Sequence, residues 1–184
     1  SNTRGVSAIT YRFNSDVWLF DCGESTQLQL QNSRTRLSKI KKIFITHAHG
    51  DHSFGLPGVL CQIGQSTQDE RQKERDENRS NPNHVWGVQN SDSDNIIDIY
   101  GPEGTRDLVR AVIQLTYSKI AMPHRIHELK NVAYLHGKVQ RYPPLMPTIR
   151  TRAEAKYGEQ PGGTDIYPDA NGHYNLVEEG ELSV

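Results

Sequence analysis

Hydrophobic and polar positions alternate at the start of the chain. Residues 6–13, VSAITYRF, have the period of a half-buried strand, and residues 17–23, VWLFDCG, form a denser apolar run that fits a more buried one. Asn14 and Ser15 between them are turn formers, so the two strands read as a hairpin. Gly23 closes the second strand, and residues 24–33, ESTQLQLQNS, read as a short helix. A third strand covers residues 39–46, KIKKIFIT, with Ile43, Phe44 and Ile45 wholly inside. Residues 51–65, DHSFGLPGVLCQIGQ, start a helix with an irregularity at Pro57. Residues 96–102, IIDIYGP, are a fourth strand closed by Gly101 and Pro102. Thr105 is placed to cap a helix over residues 106–120, whose Leu108, Val112 and Leu115 share one face. Strand and helix therefore alternate, which is the pattern of an α/β sheet.

Two stretches break that rhythm. Residues 65–95 are charged and polar with almost no apolar content and read as a disordered or mobile insertion. Residues 137–173 are rich in Pro, Gly and charge and read as irregular. Only 34% of the 184 residues are hydrophobic, low for a fully packed globule. The length suffices for one domain, and either the insertions are large or the core is shared with further chain. No internal repeat is visible.

Composition then narrows the function classes. A net charge of −1 supplies no global basic field for nucleic acid. Locally, RTRLSKIKK concentrates Arg34, Arg36, Lys39, Lys41 and Lys42, which reads either as an RNA-backbone patch or as a solvated helix-to-strand connection. Cys22 and Cys61 sit in apolar contexts, form no disulfide framework and suggest a reducing compartment. No apolar run is long enough to span a bilayer, and the first ten residues lack the pattern of a signal peptide.

The chemistry concentrates in residues 45–58, ITHAHGDHSFGLPG, where three of the eight histidines and an aspartate fall within six positions. At the end of a strand, side chains two apart point the same way, so His47 and His49 aim two imidazoles at one point. Gly50 permits a sharp turn that brings Asp51 and His52 behind them. Imidazole and carboxylate are ligands for zinc, manganese and iron in hydrolytic sites. Two pairs of ligands fit two metals, about 3.5–4 Å apart, better than one. The remaining histidines, His84, His124, His127, His136 and His173, are scattered and read as surface or hydrogen-bonded residues; His136, followed by a turn glycine, is the best placed of them.

The H-x-H-x-D-H string after a buried strand resembles the metallo-β-lactamase superfamily. WLFDCGESTQLQL, KIKKIFITHAHGDHSFGLPGVL and IDIYGPEGTRDLVR, in that order, look like the short form of its ribonuclease Z family, over residues 4–64 and about 96–130. The resemblance implies the N-terminal half of an αββα sandwich with two Zn2+ at the sheet edge, Mn2+ being the alternative. His47 and His49 would hold the first ion, Asp51 and His52 the second. Asp51 would also be the catalytic group that accepts a proton from the attacking water. Asp21 would orient a metal-bound histidine, a role weighed evenly against binding of backbone N–H groups at a strand end. Glu24 and Thr26 would fix the loop beneath the site.

Ser25 stands where the family has glycine, and Ala48 where it often has leucine. An entry strand before Ser1 is missing, and Thr3, Arg4 and Gly5 match the tail of a loop near the RNA 3′ end. A third histidine for the first metal, a bridging aspartate, a final histidine and the protruding tRNA-binding arm are all expected beyond Val184, with residues 174–184 as the strand leading toward them. The implied activity is endonucleolytic removal of the 3′ trailer from precursor tRNA, by a homodimer in the cytoplasm or nucleus, with an organelle form left open. Arg34, Arg36 and Lys39 would contact the RNA backbone. The alternatives are another dinuclear metallo-hydrolase, phosphodiesterase or arylsulfatase-like, and an inactive half.

Overall fold

The computed structural model describes residues 6–80, 96–118, 120–132, 158–176, 178–179 and 182–183. β1 (Ile9–Phe13) and β2 (Asp16–Phe20) form the expected antiparallel hairpin, with Phe13 opposite Asp16 and Asn14 in a left-handed conformation at φ 54°. Then follow α1 (Thr26–Gln31), β3 (Ile40–Phe44), α2 (Gly50–Ser53), α3 (Leu56–Ser80), β4 (Ile97–Pro102), α4 (Thr105–Leu115), β5 (His124–Leu129) and β6 (Asp165–Ile166). These six strands make one sheet in chain order, and β2 through β6 run parallel. Right-handed crossovers in a sheet of monotonic order put every connecting helix on the same face.

That face carries the main core. Val17, Leu19, Ile43, Ile97, Ile99 and Ile126 from the strands meet Leu30 of α1, Leu56, Val59, Leu60 and Ile63 of α3, and Val109 and Ile113 of α4. Each such side chain contributes about 1.5–3 kcal/mol through burial. The opposite face carries a row of flat rings at matched register positions. Phe20 stacks on Phe44 at 4.8 Å, Phe44 on Tyr100 at 5.1 Å and Tyr100 on His127 at 4.7 Å. Register pairs Phe20 with Phe44, Phe44 with Tyr100 and Tyr100 with His127. Stacking across four strands therefore aligns their C-terminal ends, where the loops after β2 and β3 emerge.

Several expectations from the sequence are corrected. Residues 65–80 are not disordered: they continue α3 as a polar stretch that itself lacks Gly and Pro, supported by side-chain bonds from Gln65 to Asp69 and from Gln72 to Asp76. The irregularity near Pro57 lies just before it, at Phe54–Gly55 between α2 and α3, and Pro57 occupies the second position of α3, where its missing N–H costs nothing. Thr105 does not cap α4, because its hydroxyl donates back to the Pro102 carbonyl at 2.8 Å. Glu128 of β5 caps α4 instead, accepting the Gly104 and Arg106 amides at 3.0 Å each. The helix ends at Leu115 and buries Val109 and Ile113, while Leu115 is 74% exposed. The face over Leu108, Val112 and Leu115 was therefore displaced by one position; Val and Ile at 109 and 113 make an equally apolar stripe. Among the described residues of 174–184 are two paired two-residue strands, β7 (Glu178–Glu179) and β8 (Leu182–Ser183), rather than one. Residues 81–95, 133–157 and 1–5 lie outside the described residues, together with His84, His136, Thr3, Arg4 and Gly5.

Candidate metal centre

β3 ends at Phe44, and the Ile45 amide still bonds the Tyr100 carbonyl of β4 at 2.7 Å. The chain then leaves the sheet through Thr46, His47, Ala48 and His49 into the single turn α2. Ser53 secures that turn by donating its hydroxyl to the His49 and Ala48 carbonyls at 3.0 and 3.2 Å. The neighbouring loop, after β2, is laced to it by backbone bonds. The Asp21 amide bonds the Phe44 carbonyl at 2.7 Å, the Cys22 amide the His52 carbonyl at 2.7 Å, and the Gly55 amide the Cys22 carbonyl at 2.9 Å. Ser7 bridges both, bonding the Asp51 carbonyl and the Gly23 amide at 3.1 Å each. The Thr26 hydroxyl donates to the Gly23 carbonyl at 2.7 Å, so Thr26 does fix this loop, whereas Glu24 is exposed.

The site thus lies at the carboxyl ends of parallel strands, where open α/β sheets bind their ligands. Nitrogen or oxygen atoms of His47, Asp51 and His52 all lie within 4.8 Å of one another. His52 Nε2 is 3.5 Å from Asp51 Oδ2. Two zinc ligands at bond lengths of about 2.0–2.1 Å in a tetrahedron sit about 3.4 Å apart, so this pair matches one tetrahedral edge. The His47 ring lies between its neighbours, with centroids 3.9 Å from His52 and 4.7 Å from His49. His49 meets His47 edge-on and stays outside the three-residue donor set, so strand geometry alone does not converge all four residues. Its backbone is extended, with ψ 148°, at the start of α2.

Asp21 organises this group from below. It is 6% exposed and adopts a left-handed φ of 59°, which aspartate tolerates better than most residues. Its Oδ1 accepts the Thr46 amide and hydroxyl, both at 2.8 Å, and its Oδ2 accepts the Thr46 hydroxyl at 3.0 Å and the Ser7 hydroxyl at 3.4 Å. Oδ2 also lies 2.7 Å from His52 Nδ1. Burial raises the Asp21 carboxyl, but the Thr46 amide, the His52 ring and the Thr46 hydroxyl together outweigh it and hold the carboxyl below its ordinary value. Facing a carboxylate, Nδ1 is the protonated nitrogen of His52, which leaves Nε2 with the lone pair toward Asp51. Asp21 thus takes a backbone N–H and also meets the His52 ring. Burial pushes the thiol of Cys22, next to it, up to about 12, against a weaker opposing bond from Thr26.

Of the other described histidines, His124 and His127 belong to the sheet. His124 is 2% exposed, its Nδ1 3.2 Å from the Met122 carbonyl. His127 sits between the Thr164 hydroxyl at 2.9 Å and Asp98 at 3.2 Å, and His173 lies exposed in a turn. Arg34, Arg36 and Lys39 are exposed and precede β3, whereas the histidines follow it. Five residues of strand separate the two ends, on the order of 15–20 Å. The basic group is further divided, because Lys42 turns to the ring-bearing face, its Nζ 5.4 Å from the Trp18 ring centre. Among the described residues no helix is long and apolar enough to cross a membrane. The residue that sequence reasoning missed is Thr46; its only signal was its place directly before His47.

Known proteins resemble this chain in sequence and in backbone. The chain is 40% identical over all 184 residues to the bovine protein named zinc phosphodiesterase ELAC protein 1, of which it covers 44%. It is 38% identical over 135 residues to a ribonuclease Z of Prochlorococcus marinus, 72% of this chain and 35% of that one. A family model described as anti-Pycsar protein Apyc1 matches residues 6–74. The crystal structure of human tRNase Z, short form (ELAC1), superposes with a TM-score of 0.63 at 31% identity, covering all of this chain and 52% of that one. The chain spans about half the length, or less, of the relatives it matches. In sequence and in backbone alike, the chain is similar to part of the proteins named ribonuclease Z and tRNase Z.

Proposed function

We propose that the full-length protein is a zinc-dependent endoribonuclease that removes 3′ trailers from precursor tRNA, and that His47, His49, Asp51 and His52 hold its metal. The observation that carries this reading is the convergence of His47, Asp51 and His52, with one donor pair at a tetrahedral spacing, on the sheet edge of a chain similar to named ribonucleases Z. The 4.8 Å spread is wider than one tetrahedral edge, which suits donors shared between two ions about 3.5–4 Å apart. When bound, divalent cations of this kind acidify water and draw charge from phosphoryl oxygens.

The protein's own groups set the rest. Asp51 is exposed and reaches the donor cluster, so its carboxylate accepts the proton that the attacking water loses, as the scissile phosphodiester is hydrolysed and the 3′-oxygen stays on the tRNA. Asp21 fixes the His52 ring. Arg34, Arg36 and Lys39, at the far end of β3, would meet backbone phosphates remote from the cleaved bond and hold the RNA in register. Assembly as a homodimer belongs to the same proposal, and light scattering of the full-length protein measures it.

Incubation of full-length protein with a 3′-extended tRNA and zinc or manganese tests the proposal. Cleavage after the discriminator base, lost in Asp51→Ala while tRNA affinity stays, is expected; absence of cleavage with either metal refutes it. A second reading, equally in keeping with the bovine relative's name of zinc phosphodiesterase, is a hydrolase of small phosphodiesters. A nitrophenyl phosphodiester assayed beside tRNA separates the two, since a small-diester enzyme turns over the first and leaves the second intact.

A further inference from the structure

We propose that Thr46 is a positioning residue that selects the tautomer of His47, so that a single carboxylate, Asp21, orients two histidines at once. The inference rests on the metal-site reading above and concerns a residue that reading leaves without a role. The Thr46 hydroxyl has one proton and three acceptors in reach: Asp21 Oδ1 at 2.8 Å, Asp21 Oδ2 at 3.0 Å and His47 Nδ1 at 3.1 Å. A carboxylate is the stronger acceptor and here also the nearer one, so the hydroxyl proton goes to Asp21. The contact to His47 is then a hydrogen bond only if the ring brings the proton. His47 Nδ1–H donates to Thr46 Oγ1, which leaves the lone pair of the neutral ring on Nε2.

His52 reaches the same state directly, its Nδ1–H on Asp21 Oδ2 at 2.7 Å. Thr46 thus extends the carboxylate by one hydroxyl to a histidine that Asp21 does not touch. The backbone makes the relay rigid, because the Thr46 amide is also bonded to Asp21 Oδ1 at 2.8 Å and cannot turn away. A ring held with its lone pair toward the cation needs no tautomer change on binding, and partners of this kind affect metal affinity by about 10–100-fold.

The test uses nitrogen-15 NMR of histidine side chains in the metal-free full-length protein at pH 8, with zinc affinity by competition against a chromogenic chelator. Wild-type His47 is expected as the Nδ1–H tautomer. Thr46→Val, close in shape, should mix the tautomers and weaken zinc binding about 10–100-fold, whereas Thr46→Ser should stay within about threefold of wild type. A wild-type His47 protonated on Nε2 overturns the proposal, whatever the variants do. So does equal weakening by Val and Ser, which assigns the effect to the methyl group, and so does a Val variant that binds zinc like wild type. Failure of wild type to bind zinc refutes the metal site itself, and the tautomer spectrum then decides the Thr46 relay separately.

Discussion

Replacing Asp21 with asparagine is a sharp test of how the loop after β2 governs the histidines. Asparagine tolerates the left-handed backbone at this position, so the loop is not strained by the change. The consequence falls on the hydrogen bonds. Asp21 accepts from Thr46, Ser7 and His52 and donates to none of them. An amide NH2 in place of Oδ1 would oppose the Thr46 N–H donor, so the amide oxygen stays there. The NH2 then replaces Oδ2 and faces His52 Nδ1. The two fit only if His52 gives up its Nδ1 proton and carries it on Nε2, the nitrogen 3.5 Å from Asp51 Oδ2.

That proton must be moved before a cation can bind, so zinc affinity should fall about 10–100-fold, or roughly 1.4–2.7 kcal/mol. Losing the charge from these bonds should lower folding stability by about 1.5–3 kcal/mol. Competitive zinc titration and urea unfolding of the metal-free protein measure the two effects separately. Zinc affinity within threefold of wild type, or His52 still protonated on Nδ1, would refute the reasoning.

Three further outcomes follow from the fold. Gly55→Ala would place a methyl group against the backbone carbonyls of Gly23 and Cys22, neither of which is a flexible side chain, so the loops after β2 and β3 must part. Thermal unfolding should show a loss of about 1–3 kcal/mol with weakened zinc binding, and unchanged values of both would contradict the close approach. Arg110 and Glu159, each 7% exposed and bonded twice at 2.6 and 2.7 Å, join α4 to the segment beside β5. Glu159→Gln should cost about 3–5 kcal/mol by urea denaturation, and a loss under 1 kcal/mol would show the pair to be dispensable.

His124 supplies a pH dependence. Burial keeps its ring below the ordinary value of 6.5, against opposing effects from the Met122 carbonyl and Glu159, with Arg110 reinforcing the shift. The unfolded chain therefore takes up a proton that the folded one refuses. The stability this group contributes is complete above about pH 6.5 and is lost as pH falls toward the depressed folded value, by at most about 1.4 kcal/mol for the first unit. Urea midpoints at pH 7.5 and 5.5 should differ less in His124→Gln than in wild type; an equal difference would assign the dependence to other groups.

Local pattern revealed the elements that carry local chemistry. The hairpin over β1 and β2, the apolar β3 and the polar turn after it are each written in contiguous residues, so the ligand-bearing loop was legible. β5 was not. HRIHEL shows only Ile126 and Leu129 as apolar, because its charged residues are matched across the fold: Arg125 to Asp98 at 2.7 Å, Glu128 to the start of α4, Lys130 just beyond it to Glu128 and Glu103. Apart from the Lys130–Glu128 pair, these partners lie more than twenty residues away and leave no periodic trace. The polar half of α3 misled in the other direction, since low hydrophobicity argues against burial but not against a solvated helix continuing from a buried one. His49 and Thr46 show the same limit within the site. Alternation along a strand placed His49 beside His47, but the chain had already left the sheet, and the hydroxyl that reaches His47 belongs to the residue between strand and ligand.

Everything above depends on His47, Asp51 and His52 forming one metal-binding cluster. Diffraction from zinc-soaked crystals, recorded at the zinc absorption edge, locates the metal without reference to activity. Anomalous density about 2.0–2.2 Å from His52 Nε2 and an Asp51 oxygen, with His47 in the same cluster, is the predicted result. Zinc bound elsewhere on the protein, with these three side chains empty, would contradict it.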